Sequence, residues 1–299
     1  MLNFPNVLEL IGNTPVVLIR RMNPNPRVTI VAKLEGRNPG GSVKDRIGIA
    51  MIEAAEQSGQ LVPGKTVLEA TSGNTGIGLA LACTAKGYPC LLAMSEGVSL
   101  ERRKILAAYG AQFLLTPANL GTDGAIEKVY EMDRMDKGEH YVLVDQYNNQ
   151  ANPHAHYAGT APEIWRQTEG QLTHFVASIG TTGTLMGCAR FFKEKNPAVK
   201  IVAAEPTIGH KIQGLKSLKE AYVPGIWNKK LVDEKYIVQD EDAYATTRRL
   251  AREEGLLCGM SSGAAMFLAL RKAQEIDAGL IVVILPDGGE RYLSTSLFG

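Results

Sequence analysis

Apolar, β-branched runs alternate with helix-period segments from one end of this 299-residue chain to the other. The strand-like runs are Thr29–Leu34, Thr66–Glu69, Cys90–Met94, Gln112–Leu115, Tyr141–Val144, Phe175–Ser178, Ile201–Ala204 and Ile281–Leu285. Helical spacing marks Ile47–Ser58, Ile77–Lys86, Glu101–Tyr109, Asp123–Lys137, Ala158–Thr168, Leu185–Asn196, Asp242–Glu254 and Ala264–Ile276. Short, uniformly apolar strands are buried on both faces, which calls for a parallel sheet flanked by helices. The expected class is doubly wound α/β. With 45% apolar and 21% charged residues, the chain can bury the core of two domains or of one large unit.

Two segments share one plan. Val67-Leu68-Glu69-Ala70 leads into Thr71-Ser72-Gly73-Asn74-Thr75-Gly76 and a helix, and Phe175–Ile179 leads into Gly180-Thr181-Thr182-Gly183-Thr184 and another. Strand, Gly/Thr loop and helix recur, so we expect two α/β domains, each lending a loop to a cleft at the carboxyl ends of strands. The polar stretch Gln146–His156 is a plausible join.

The remaining composition mainly excludes. A formal net charge of +1 argues against nucleic acid or a membrane surface as partner. The longest apolar run, Ile77–Met94, is interrupted by Lys86, Gly87 and Pro89, and the N-terminus lacks the design of a signal peptide. Cys83, Cys90, Cys188 and Cys258 are widely spaced, so neither disulfides nor zinc are expected and a reducing cytoplasm is the natural setting. Cys258 lies near a glycine-rich loop, which leaves a thiol role open. The histidines show no ligand spacing, no metal is expected, and His154 and His156 read as surface residues.

Chemistry is concentrated in loops before helices. In Asn38-Pro39-Gly40-Gly41-Ser42-Val43-Lys44-Asp45-Arg46 the proline and glycines make a turn and Ser42 can cap a helix beginning near Ile47. Lys44 then falls in a first turn, where free N–H groups disfavour a cation. Alone it reads as a solvated surface group, but near other cations and partly buried a lysine becomes a nucleophilic amine. Gly180–Thr184 is a compact nest of N–H and hydroxyl donors suited to a phosphate monoester. Thr71–Gly76 adds the amide of Asn74 and can grip a carboxylate. Cys258–Ala264 again offers hydroxyls before a helix.

Two other motifs are weaker. Gly59–Thr66 satisfies the Walker A pattern, yet it leaves a helix and enters a strand, the reverse of a phosphate-cradling loop. Gly76-Ile77-Gly78 mimics part of a dinucleotide fingerprint, but Leu81 stands where its third glycine belongs. An amine nucleophile, a phosphate nest and a cleft without metal ligands together suit pyridoxal phosphate.

Ile11–Pro15, Asn38–Arg46, Thr71–Gly76, Gln146 with Asn152-Pro153, Gly180–Thr184, Ser261–Gly263 and Gly289–Thr295 occur in the order that the fold-type II pyridoxal-phosphate enzymes show. Over essentially its whole length the chain resembles the cysteine synthase (O-acetylserine sulfhydrylase) group of that family. Pro224–Asn228 and the ending Tyr292–Gly299 are most similar to the B-type isozymes.

The resemblance implies a tryptophan synthase β-like fold. Residues 42–147 would form a smaller, mobile substrate domain, and 1–41 with 148–299 a larger domain holding the cofactor phosphate. It implies that Lys44 carries pyridoxal 5'-phosphate as an imine, with Gly180, Thr181, Thr182, Gly183 and Thr184 on its phosphate and Asn74 on its phenolic oxygen. Ser261 would face the ring nitrogen, and a neutral hydroxyl there favours β-elimination over transamination. Thr71, Ser72, Thr75 and Gln146 would hold the substrate carboxylate.

The implied reaction makes L-cysteine from O-acetyl-L-serine and sulfide through an aminoacrylate, with Lys44 as nucleophile, base and acid in turn. A homodimer is implied too. Between Gly214 and Val223 only Lys216 remains of a basic pair seen in B-type enzymes, and His210–Gly214 is more similar to the A type. Thiosulfate as sulfur donor and O-phosphoserine as substrate therefore stay open. The rivals are cystathionine β-synthase or serine dehydratase within the fold, a nucleotide-binding protein using Gly59–Thr66, and a catalytically silent partner-binding protein.

Overall fold

The computed structural model describes residues 4–71, 73–98 and 100–299, excluding the side chains of 100 and 101. In chain order it opens with β1 (Val16–Ile19), β2 (Val28–Leu34), α1 (Lys44–Gln57), β3 (Thr66–Ala70) and α2 (Asn74–Lys86). There follow β4 (Cys90–Ser95), α3 (Leu100–Ala108), β5 (Gln112–Thr116), α4 (Gly121–Asp136), β6 (Tyr141–Leu143) and α5 (Ala151–Ala155). A π-helical turn, His156–Thr160, runs into α6 (Ala161–Gln167), then β7 (His174–Ser178), α7 (Gly183–Lys195) and β8 (Lys200–Pro206). The chain closes with β9 (Glu234–Val238), α8 (Asp240–Glu254), α9 (Met260–Glu275) and β10 (Gly279–Leu285). Every strand and helix expected from the sequence is present, with ends moved by a few residues.

The chain divides into two compact units: residues 1–11 with 43–152, and 12–42 with 153–299. In the first, a four-stranded parallel sheet runs in the order β5-β4-β3-β6. The turn Val7–Leu10 packs on α2, which ties the N-terminal residues to this unit. β3, β4 and β5 march outward in one direction, and β6 returns to the other side of β3. The strand order therefore reverses between β3 and β6, the point at which open α/β sheets bind ligands.

The second unit holds a six-stranded sheet, β1-β2-β10-β7-β8-β9. Its order reverses between β7 and β10 in the same way. Alternate residues of the inner strands enter opposite cores. Val176, Val202 and Val283 pack with Ala243, Leu250 and Ala264, while Phe175, Ile201 and Val282 pack with Ile164, Leu185 and Phe192. Helices thus cover both faces, α8 and α9 on one and α6 and α7 on the other.

β1 and β9 were not expected from the sequence. Both are edge strands, and β9 alternates half-buried and exposed positions through Glu234-Lys235-Tyr236, so it lacks the continuous apolar signature of an inner strand. β1 runs antiparallel to β2, so the expectation of a wholly parallel sheet fails at this edge, where one strand face can stay wet.

Candidate active site

Lys44 is the first residue of α1, several positions earlier than the helix start read from periodicity. Val43 holds the N-cap position in helical conformation without a side-chain cap, and Ser42 is buried in an antiparallel bridge to Asp287. The preceding turn is pinned by its own side chains. Asn38 accepts the N–H of Gly12 at 2.8 Å and donates to the carbonyl and carboxylate of Glu35. Thr14 donates to that carboxylate at 2.7 Å, and the Arg291 guanidinium donates to the carbonyl of Gly40. Gly41 takes a φ of +82°, a conformation that costs glycine little.

Beyond Lys44, α1 is held by a close crossing with α2. A Cβ on Gly48 would meet the backbone carbon of Gly78 at 2.5 Å, and one on Gly78 would meet the Lys44 carbonyl oxygen at 2.6 Å. The Gly76-Ile77-Gly78 run thus belongs to helix packing, inside α2. Two backbones in contact leave Lys44 little freedom in where its side chain begins.

At the reversal point of the first sheet, Thr71 and Gly73 follow β3 and Asn74 opens α2, with Thr75 second in the helix. Thr71 accepts the N–H of Gly73 at 3.3 Å through its hydroxyl, and Asn74 is half-buried. Ser72 lies outside the described residues. Gln146 follows β6 across the same point, and its Oε1 accepts the Thr75 hydroxyl at 2.7 Å. Thr71, Thr75 and Gln146 are therefore gathered in one place. No acid stands in the first turn of α2, which leaves its amino end open to a carboxylate.

Beneath this loop is the carboxyl group of Glu69, which ends the apolar run Thr66–Glu69. Glu69 is buried, and burial pushes it up to about 8, against the N–H groups of Gln146 and Ala70 that favour its charged form. Its signal was available: an acid inside the apolar run Val67–Ala70 of an inner strand.

The second unit repeats the plan at its own reversal point. Gly180, Thr181 and Thr182 lie between β7 and α7, and Gly183 and Thr184 open the helix. Thr182 adopts φ +71° and Gly180 has no room for a side chain, since a Cβ would stand 2.7 Å from the Gly214 carbonyl oxygen. The backbone is thereby curled over the free N–H groups of α7. Thr184 pairs with His156 Nε2 at 3.2 Å, and His156 Nδ1 pairs with Thr160 at 2.9 Å.

His156 is therefore fully buried, not on the surface as expected; the π-helical turn places it inward against α7, while His154 stays exposed. Ser261 is second in α9, buried, with its carbonyl accepting the Ser178 hydroxyl at 3.0 Å. Cys258 is buried and held in a bridge to Gly288, and burial pushes its thiol up to about 12, which removes it as a nucleophile. Gly59–Thr66 joins α1 to β3, and Lys65 turns back to the carbonyl of Gln60. Among the described residues no metal-holding cluster is present and no helix is long and apolar enough to cross a membrane.

The second loop meets the needs of a phosphorylated cofactor. Thr182 Oγ1 is buried and has no hydrogen-bond partner among the described residues, a state that costs about 1–3 kcal/mol unless a ligand relieves it. Its neighbours are helix N–H groups and hydroxyls, and α7 has no acid in its first turn, a donor set that fits a phosphate dianion.

Residues 7–287 match the model of the pyridoxal-phosphate dependent enzyme family. Cysteine synthase B of Salmonella typhimurium is 47% identical over 295 residues, 98% of this chain and 96% of that one. The crystal structure of cysteine synthase from Entamoeba histolytica superposes with a TM-score of 0.93 at 39% identity, covering 99% of this chain and 91% of the other. O-ureido-L-serine synthase gives the same TM-score and identity, with 99% and 95% covered. A lysine opening one helix, a glycine–threonine loop opening another and a match over nearly the whole length agree, and the chain belongs to the pyridoxal-phosphate dependent enzymes.

Proposed function

We propose that the chain forms L-cysteine from O-acetyl-L-serine and a sulfur nucleophile, with pyridoxal 5'-phosphate as cofactor. The observation that carries the cofactor is the Gly180–Thr184 nest with its partnerless Thr182 hydroxyl. Near full-length similarity to proteins named cysteine synthase supports the reaction.

In this reading Lys44 holds the cofactor through its amine. Gly180, Thr181, Thr182, Gly183 and Thr184 take its phosphate, Asn74 its phenolic oxygen and Ser261 its ring nitrogen. Thr71, Ser72, Thr75 and Gln146 receive the substrate carboxylate. The bound cofactor supplies an electron sink that stabilises negative charge at the substrate α-carbon. Lys44 takes the α-proton as general base, acetate leaves the β-carbon, and the sulfur nucleophile adds there. Lys44 then returns the proton to the α-carbon. The carboxylate loop orients the α-hydrogen toward the lysine and keeps water from the reacting carbons. Sulfide is the donor we propose, working in a cytoplasmic homodimer.

Lys44→Ala tests the assignment. Turnover should fall by about four orders of magnitude, since it removes both base and acid. The visible absorption of the purified protein should vanish with it. A wild-type protein that stays colourless with pyridoxal phosphate added, or a variant that still makes cysteine, overturns the reading. Parallel assays with sulfide and thiosulfate decide the donor.

A further inference from the structure

β6 ends at Leu143. The N–H of Val144 still reaches the Leu68 carbonyl at 3.1 Å, then Asp145 turns left-handed at φ +49° and the ladder to β3 stops. At that departure the N–H groups of Ala70 and Gln146 would lose their strand partners. Glu69 takes both: Oε1 accepts from Ala70 at 2.9 Å and Oε2 from Gln146 at 3.0 Å. One carboxyl group thus finishes the sheet where the strands part.

Glu69 also orients an amide. Gln146 Nε2 faces two acceptors, the Ala70 carbonyl at 3.2 Å and Glu69 Oε1 at 3.5 Å. Its Oε1 must then face the other way, toward the hydroxyl of Thr75. We propose that Glu69 is a positioning residue, holding Gln146 and through it Thr75 beneath the loop that receives the substrate carboxylate. This rests on the assignment of Thr71–Thr75 to that carboxylate.

The electrostatics agree with the geometry. The titratable groups facing Glu69 are Asp145, past the end of β6, and Tyr130 of α4, which donates to Asp145 at 3.2 Å. Burial, with Asp145 adding to it, pushes Glu69 up to about 8. At neutral pH the floor of the loop is therefore largely uncharged and does not repel an anion above it. Once ionised, the same group would oppose the substrate.

Glu69→Gln keeps the shape but turns an NH₂ toward one of the two N–H groups. In the holoenzyme the KM for O-acetylserine should rise about tenfold, with kcat and the cofactor dissociation constant within about twofold. An unchanged KM overturns the proposal, as does a parallel loss of KM, kcat and cofactor affinity, which marks a merely structural role. Propionate, a carboxylate without an amine, supplies a second measurement. Its inhibition constant should rise from pH 7 to 9 in the wild type and stay level in Glu69→Gln, and a level wild-type profile overturns the proposal even if the variant does not fold. Should the wild type make no cysteine, spectroscopic titration of its holoenzyme with propionate still decides on Glu69, and only the reaction assignment falls.

Discussion

Thr75 and Thr184 hold the same place in two helices of one plan. Each is the second residue of a helix that follows a parallel strand where the strand order reverses. What stands behind them differs. Thr75 gives its hydroxyl to the amide of Gln146, which a buried acid orients; Thr184 meets the imidazole of His156, backed by Thr160. In the first unit Thr75, Gln146 and Glu69 bond to one another. In the second the Thr182 hydroxyl is left over. On the proposed assignment, a loop for a substrate that comes and goes should be complete without it, whereas one for a resident dianion can leave a donor waiting.

Gly180→Ala strikes that contrast hardest. Its methyl would press on the Gly214 carbonyl, and overpacking of about 1–3 kcal/mol corresponds to a cofactor dissociation constant up to about a hundredfold weaker. Titration of apoprotein with pyridoxal phosphate measures it, and KM should move far less.

Valine at each threonine compares the loops directly. Thr75→Val should raise KM for the amino acid about tenfold and leave cofactor affinity alone, while Thr184→Val should do the reverse. Equal effects on both constants would erase the distinction between the loops.

Behind Thr184, His156→Phe should weaken cofactor binding about fivefold and spare KM, since it removes a hydrogen bond one step from the phosphate. A Thr184 hydroxyl that donates to phosphate must accept from His156 Nε2–H, which leaves Nδ1 to accept from Thr160.

A different kind of effect is a slope in stability with pH. Folded Glu69 titrates at about 8 against 4.5 for the ordinary group, so between those values the folded state holds a proton that the unfolded chain has lost. Stability therefore falls as pH rises through that window and levels off above it. Thermal melting from pH 5 to 8 should show the decline in wild type and a flatter curve in Glu69→Gln. No matching slope should come from the second loop, which has no acid in the first turn of its helix.

Much of this was legible before the structure. Inner strands announce themselves because both faces are buried, and the nests announce themselves because glycine and threonine crowd between strand and helix. Lys44 drew notice as a candidate through its place after a glycine turn, and Ser42 beside it is buried in a strand bridge to Asp287. Edge strand β9 was not legible, because one-sided burial erases the apolar run, whereas β1 does carry a short one, Val16-Val17-Leu18-Ile19.

His156 misled for a related reason. A histidine between polar neighbours looks wet, and only a π-helical turn against α7 buries it.

Local chemistry by itself determined the class of fold and pointed to a candidate amine and two candidate loops, since periodicity, turn residues and hydrogen-bonding groups act within a few residues of one another. The tertiary structure decided what stands behind each loop. Gly48 meets Gly78, Asn38 meets Gly12, and Glu69 meets Gln146 seventy-seven positions away. Such contacts depend on which strands lie side by side, and strand order is set by the packing of the whole sheet.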